Sequence, residues 1–216
     1  TYLARAANIA KYTDGRFNPD GQLAASAQAL NEARFFPANP IPAAQTLKTG
    51  ERFGLLITEE DGCPASLLDE QRPVAVLGAL ATTIRSPLPV GPLAKEFAYG
   101  AVADGIDRMT RSFGVSGELS NSPDWGSLLV EWATKNHLDT IATAYAPLGP
   151  VAEMLVIAGK QLDRHGIRLL QLRRPYDSVT WPYARRGYFK LKEQIPALLE
   201  RLEIADSHTE IGSAAV

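Results

Sequence analysis

Cysteine is nearly absent from this chain. Cys63 stands alone among 216 residues, which rules out an internal disulfide framework and makes a reducing compartment the expectation. Histidine is almost as scarce, and His137, His165 and His208 show no spacing that resembles a metal site. No apolar run approaches the roughly 18 residues of a membrane span, and no charged-then-apolar leader opens the sequence. A cytoplasmic protein without membrane contact is therefore expected. Charge of one sign is lacking too: 22 Lys and Arg against 24 Asp and Glu leave −2. That balance removes a global electrostatic case for nucleic acid and leaves room only for a local basic patch. The common catalytic fingerprints are missing, with no GxGxxG, no P-loop and no GxSxG. Neither dehydrogenase nor hydrolase machinery is expected. The chain opens on Thr1 and not on Met, so a processed chain or a piece of a longer one is expected.

What is present changes character near residue 50. Earlier residues are rich in turn formers: Asp14-Gly15, Asn18-Pro19-Asp20-Gly21, then Phe35-Phe36-Pro37-Ala38-Asn39-Pro40-Ile41-Pro42. Proline fixes φ and removes a donor, so the last stretch reads as an extended connection. Residues Gln22 to Leu30 form at most a short helix. Beyond Gly50 apolar strand runs alternate with helical patterns: strands over Phe53–Thr58, Val74–Leu80, Asp139–Tyr145 and Ile167–Leu172. Between and after them come a short helix at Pro64–Gln71 and longer ones at Pro92–Phe113, Trp125–Lys135, Pro150–His165 and Phe189–Leu202. In the longest, Leu93, Phe97, Ala101, Ile106 and Met109 fall on or near one face.

Strands joined by helices of ten or more residues imply βαβ crossovers. The expected fold class is α/β, a doubly wound, mostly parallel, Rossmann-like sheet of four to five strands with an irregular N-terminal extension. The expected organisation is a terminal segment at 1–22, a proline-rich linker at 23–50, the α/β domain at 51–205 and a flexible tail at 206–216.

Ligands in such sheets sit beyond the carboxyl ends of the strands. That places attention on Thr58–Asp61, Thr82–Arg85, Tyr145–Pro150 and Arg173–Asp177. The turn Tyr145-Ala146-Pro147-Leu148-Gly149-Pro150 leads into a helix whose free N–H groups suit a phosphate or carboxylate, the plainer alternative being an ordinary βα turn. Glu59, Glu60 and Asp61 suit a hard cation or acid–base work, with a solvated loop as the default. Cys63 reads as a buried, inert thiol. The densest group of unusual residues is Arg173, Arg174, Tyr176, Asp177, Trp181, Tyr183, Arg185, Arg186, Tyr188, Phe189, Lys190 and Lys192. Arginines interleaved with aromatics grip phosphates and stack on bases or flavin-like rings; the alternative is a loop folding its rings back over the sheet.

Two segments carry a resemblance. Thr1-Tyr2-Leu3-Ala4-Arg5-Ala6-Ala7-Asn8-Ile9-Ala10-Lys11-Tyr12-Thr13-Asp14-Gly15-Arg16-Phe17 resembles the end of the helical flavin-binding domain of the photolyase/cryptochrome family, in particular a bacterial subgroup of photolyase-related flavoproteins. Asn8 falls where that family carries an asparagine beside the reactive nitrogen of FAD, whose amide oxygen accepts the N–H of reduced flavin. The subgroup often has an acid before it, where this chain has Ala7. The stretch from Ala144 to Pro196, with Tyr145-Ala146-Pro147 and Gly187-Tyr188-Phe189, is similar to the second half of the family's antenna domain. Here the α/β domain follows the flavin segment and does not precede it.

The resemblance implies an FAD flavoprotein of light-dependent DNA repair or blue-light sensing. This chain would be its C-terminal portion, an accessory or antenna-type α/β domain without complete catalytic machinery. If the parent is an enzyme, it is a DNA photolyase, a carbon–carbon lyase, and this chain alone is inactive. The implied cofactor-binding residues are Tyr2, Arg5, Asn8, Tyr145, Gly149, Trp181, Arg185, Arg186 and Tyr188, with no catalytic residue and no metal. The implied partners are the flavin-binding helical domain and, through it, DNA; an antenna chromophore would be of unknown kind. Two other readings stand beside it: a free-standing nucleotide- or anion-binding module, and a scaffold whose aromatic loop around Trp181 and Tyr188 docks a partner.

Overall fold

The computed structural model describes residues 3–27, 40–68, 70–184 and 187–202. The chain divides into two compact units, Thr1–Pro40 and Ile41–Val216.

In the first unit a seven-residue helix, α1 (Ala6–Tyr12), enters from Arg5 without a side-chain cap. The Thr13 hydroxyl ties its end by donating to the Ile9 carbonyl at 2.7 Å. Turns follow to residue 27, and no helix occupies 22–27. No described residue of 3–27 is buried. Isolated helices this short are marginal in water, and among the described residues of this unit no core holds α1.

The second unit is built on five strands: β1 (Gly54–Thr58), β2 (Ala75–Ala79), β3 (Ser116–Ser120), β4 (Thr140–Ala144) and β5 (Arg168–Leu172). All are parallel, in the order β3-β2-β1-β4-β5. The Rossmann-like α/β expectation is met, and the sheet is wholly parallel. Strands β1 and β2 are buried on both faces at every position, the reason their runs read as continuously apolar. The register sets Leu56 beside Leu77 and Thr143.

Helix α2 (Pro92–Phe113) covers one face of the sheet; α3 (Trp125–Lys135) and α4 (Pro150–Arg164) cover the other. Alternate residues of β1 serve the two sides: Leu55 and Ile57 join Val102, Ile106 and Met109, while Leu56 joins Trp125, Leu129, Leu155 and Leu162. Local chemistry fixes the ends. Proline opens α2 and α4, Gly114 closes α2 in the left-handed conformation at φ 68, and the Asp124 carboxylate accepts from the Ser127 N–H at 3.1 Å.

Several expectations need correction. Strand β3 falls in a stretch to which no element is assigned from sequence, because it is an exposed sheet edge made of Ser-Gly-Glu-Leu-Ser. The buried stripe of α2 is Ala98, Val102, Gly105, Ile106 and Met109. Leu93 and Phe97 are exposed, since the first turns of α2 carry no buried residue before Ala98. Pro64–Leu67 is a 3-10 turn. The expected helix at Phe189–Leu202 is two pieces, α6 (Tyr188–Lys192) and α7 (Ile195–Arg201), and the stretch expected as a loop before it holds α5 (Pro175–Thr180) and a 3-10 turn at Trp181–Tyr183. Residues 41–47 run beside β5, where Gln45 pairs with Leu172 and its side chain accepts from the Gln171 N–H at 2.6 Å. Phe35, Phe36 and the tail 206–216 lie outside the described residues.

Candidate functional site

The strand order reverses between β1 and β4, so the crevice of this sheet opens at their carboxyl ends. The opposite, amino end is closed by Glu51, which accepts from the Thr140 hydroxyl at 2.6 Å and pairs with Arg168. At the carboxyl end the three acids after β1 take separate roles: Glu60 is exposed, as a solvated loop would have it, while Glu59 and Asp61 depart from that reading. The Glu59 side chain is 4% exposed. Its two oxygens accept from the Ala81 N–H at 3.0 Å, one accepts from the Thr82 hydroxyl at 2.7 Å, and Arg85 lies 3.2 Å away. Glu59 therefore locks the end of β1 to the end of β2.

Asp61 does the same toward β5. It receives two hydrogen bonds from the Arg174 guanidinium at 2.6 and 3.0 Å. Arg174 also donates to the Ser66 hydroxyl and the Cys63 carbonyl, each at 3.0 Å. The Asp61 hydrogen bonds raise the Arg174 pKa above its ordinary value, so its positive charge is fully engaged. Glu60 is the remaining acid. Its side chain lies on the exposed surface, yet partial desolvation there pushes its carboxyl pKa up; Arg85 opposes that rise and Glu59 adds to it. Cys63 is exposed, which corrects the buried-thiol reading.

Between the ends of β4 and β5 lies a cleft of about 380 Å³, bordered by Tyr145, Pro147, Arg173, Asp177, Thr180 and Trp181. The Tyr145 and Trp181 rings meet edge to face with centroids 5.4 Å apart. The Arg173 guanidinium lies 5.4 Å from the Trp181 centroid and 6.0 Å from that of Tyr145. It is held by the Ser178 hydroxyl at 2.9 Å and the Pro42 carbonyl at 3.0 Å. Among the described residues no carboxylate forms an ion pair with Arg173. The volume falls in the range of small-ligand pockets. A positioned cation beside two aromatic rings suits a flat, electron-rich ligand.

The structure brings Tyr145 and Trp181 together and leaves other expected residues elsewhere. Gly149 (φ 153) is the N-cap of α4 and faces Glu60: a Cβ placed there would stand 4.0 Å from its Oε1. Only glycine adopts that backbone readily. With Glu60 near and Glu153 in the first turn, negative charge already sits at this helix start. Tyr188 pairs edge to face with Phe189 at 5.5 Å and does not border the cleft. Tyr2, Arg185 and Arg186 lie outside the described residues. Sequence reading missed the clasp roles of Glu59, Asp61 and Arg174; the acid triplet and the paired arginines were visible, but nothing in them marked the partners.

In the first unit, Arg5 and Asn8 border one hollow of about 620 Å³ with Leu3, Pro19, Asp20 and Leu23. One guanidinium, one amide and an exposed seven-residue helix do not by themselves enclose a flavin.

Among the described residues no group of three or more His, Cys, Asp or Glu could hold a metal ion, and no helix is long and apolar enough to cross a membrane. No family model, curated protein or solved structure matches the chain.

Proposed function

We propose that this chain is the C-terminal accessory portion of a photolyase/cryptochrome-like flavoprotein, with an antenna-type ligand site in the Tyr145–Trp181 cleft of its α/β unit. The observation that carries the proposal is that cleft: two rings and an unpaired guanidinium at the carboxyl edge of a parallel sheet, in the segment that resembles the family's antenna domain. The N-terminal unit supports it separately. Its helix buries nothing and sets Arg5 and Asn8 on one hollow, as expected of an element that packs on a helical flavin domain. DNA repair or light sensing belongs to that flavin domain; this chain contributes binding and support.

The test uses the natural protein purified from its source. A mass well above 23.4 kDa and a bound, light-reducible flavin are the expected results. A natural protein of this chain's own mass that carries no flavin overturns the reading. A second reading follows from the cleft lying wholly within Ile41–Val216: a free-standing module that binds planar nucleotide-like ligands unaided. Thermal-shift screening of the chain with FMN, folate and adenine nucleotides separates the two, since a large shift with a nucleotide alone favours the module.

A further inference from the structure

The segment from Arg173 to Leu202 differs electrostatically from the rest of the chain. Seven Lys and Arg against three Asp and Glu give it +4 in a protein of −2. Five of its thirty residues are aromatic, and four of those rings are exposed: Tyr176, Tyr183, Tyr188 (65% exposed) and Phe189 (78%). None of α5, α6 or the 3-10 turn between them has a buried residue. Scattered surface rings are unremarkable, but adjacent exposed rings beside cations form a combination with a known use.

The local geometry places the cations beside the rings. On α6, Lys192 follows Phe189 by three residues and Tyr188 by four, spacings that share a helix side. Among the described residues Lys192 has no ion pair. Lys190 is tied to Glu193 at 3.0 Å, and Arg201 donates to the Tyr183 hydroxyl at 3.2 Å, joining α7 to the 3-10 turn. The Tyr188 and Phe189 rings meet edge to face at 70° with centroids 5.5 Å apart, and both are largely exposed. Every base has a π-face, so such rings stack on bases without sequence preference, while neighbouring cations take the phosphates.

We propose that this face binds single-stranded nucleic acid, with Tyr188 and Phe189 as the stacking platform and Lys192 and Arg201 as phosphate contacts. The charge is complementary, and the rings distinguish nucleic acid from a polyanion without bases. The inference is independent of the flavoprotein reading, because every residue named lies in the α/β unit. Binding arises from the full chain without flavin.

Fluorescence anisotropy of the full chain with a labelled oligothymidylate tests it, with heparin and phosphatidylserine vesicles as base-free polyanions. The double variant Tyr188→Ala/Phe189→Ala is expected to weaken oligothymidylate binding at least tenfold while leaving heparin binding unchanged. Tyr188→Phe keeps the ring and is expected to bind as the parent does. Lys192→Ala is expected to flatten the salt dependence by about 0.7 in log–log slope, the release expected for one phosphate contact on a single strand. Matching circular dichroism and melting temperatures separate lost binding from lost fold. No oligothymidylate binding at low salt, equal losses for heparin and oligothymidylate in the aromatic variant, or preferential vesicle binding each overturns the proposal.

Discussion

Two glycines of α2, five residues apart, respond in opposite ways to the same substitution. Glycine inside a helix costs about 1 kcal/mol relative to alanine. At Gly100, exposed on the outer side, an added Cβ meets nothing within 4 Å. Gly100→Ala should therefore gain close to the full amount, about 1 kcal/mol. At Gly105 the same atom would lie 2.7 Å from the Gly62 carbonyl oxygen, and 3.3 Å from both the Gly62 Cα and an Ile57 methyl. That carbonyl is held in place by the Arg108 guanidinium at 3.1 Å, so the loop does not give way freely. Overpacking of this kind costs about 1–3 kcal/mol, which exceeds the propensity gain. Gly105→Ala is expected to lose about 1 kcal/mol net, so the two variants differ by about 2 kcal/mol. For a chain of this size that difference is about 4–8 °C in melting temperature. Denaturant unfolding should give an unchanged slope and shifted midpoints. If Gly105→Ala is as stable as Gly100→Ala, α2 stands further from the loop after β1 than described, and the close seating of that loop is wrong.

Three further outcomes follow from the carboxyl rim and the helix cap. Burial raises the Glu60 carboxyl pKa above its ordinary 4.5, so the folded state holds that proton more firmly and stability falls as pH rises through the elevated value. Calorimetry from about pH 4 to pH 7 should show Glu60→Gln gaining on the parent; a parent that gains instead would show that Arg85 dominates. Arg174→Met leaves Asp61 without its bidentate partner and should cost about 1–2 kcal/mol, allowing for partial solvation. Adding Asp61→Asn should restore part of it, and additive losses would show that the pair does not act as a unit. At Asp124 the Ser127 hydroxyl and then its N–H lower the carboxyl pKa, so its contribution is present above the unfolded value and lost as pH falls. Asp124→Asn should remove that acid-limb dependence, read as a flatter melting-temperature profile below about pH 5.

Most of the sheet was legible because its inner strands are buried on both faces. Runs such as Gly54–Thr58 and Ala75–Ala79 need apolar side chains at every position, and that is a signal a sequence displays. Helix boundaries were legible where local chemistry sets them, as with Asp124 before α3 and Gly114 after α2. Strand β3 was not, because an exposed edge has no burial to impose a pattern. The overhang of Leu93 and Phe97 was hidden for a related reason: helical periodicity says which residues share a face, not where the sheet beneath them ends.

The site was legible in place and not in chemistry. Topology alone put attention on the strand ends, but the partners there are 22 to 113 residues apart in sequence, as in Glu59 with Ala81 and Asp61 with Arg174. Those pairings decide what the rim can bind. Read as a sequence, Arg173-Arg174 is a doubled cation fit for phosphates. In the fold, Arg174 is neutralised by Asp61, and the start of α4 already has carboxylates beside it. Among the described residues bordering the cleft, Arg173 is the cation left without a carboxylate partner, pressed against Trp181, with Asp177 on the same border. Among the described residues a triphosphate or pyrophosphate would meet one free cation and one carboxylate there, with little net attraction. A flat ring loses nothing to that balance, because stacking on Tyr145 and Trp181 does not depend on net charge. The internal ion pairing thus turns a rim that looked built for phosphates into one suited to a planar ligand, while the positive balance of the segment from Arg173 to Leu202 stands beside exposed rings.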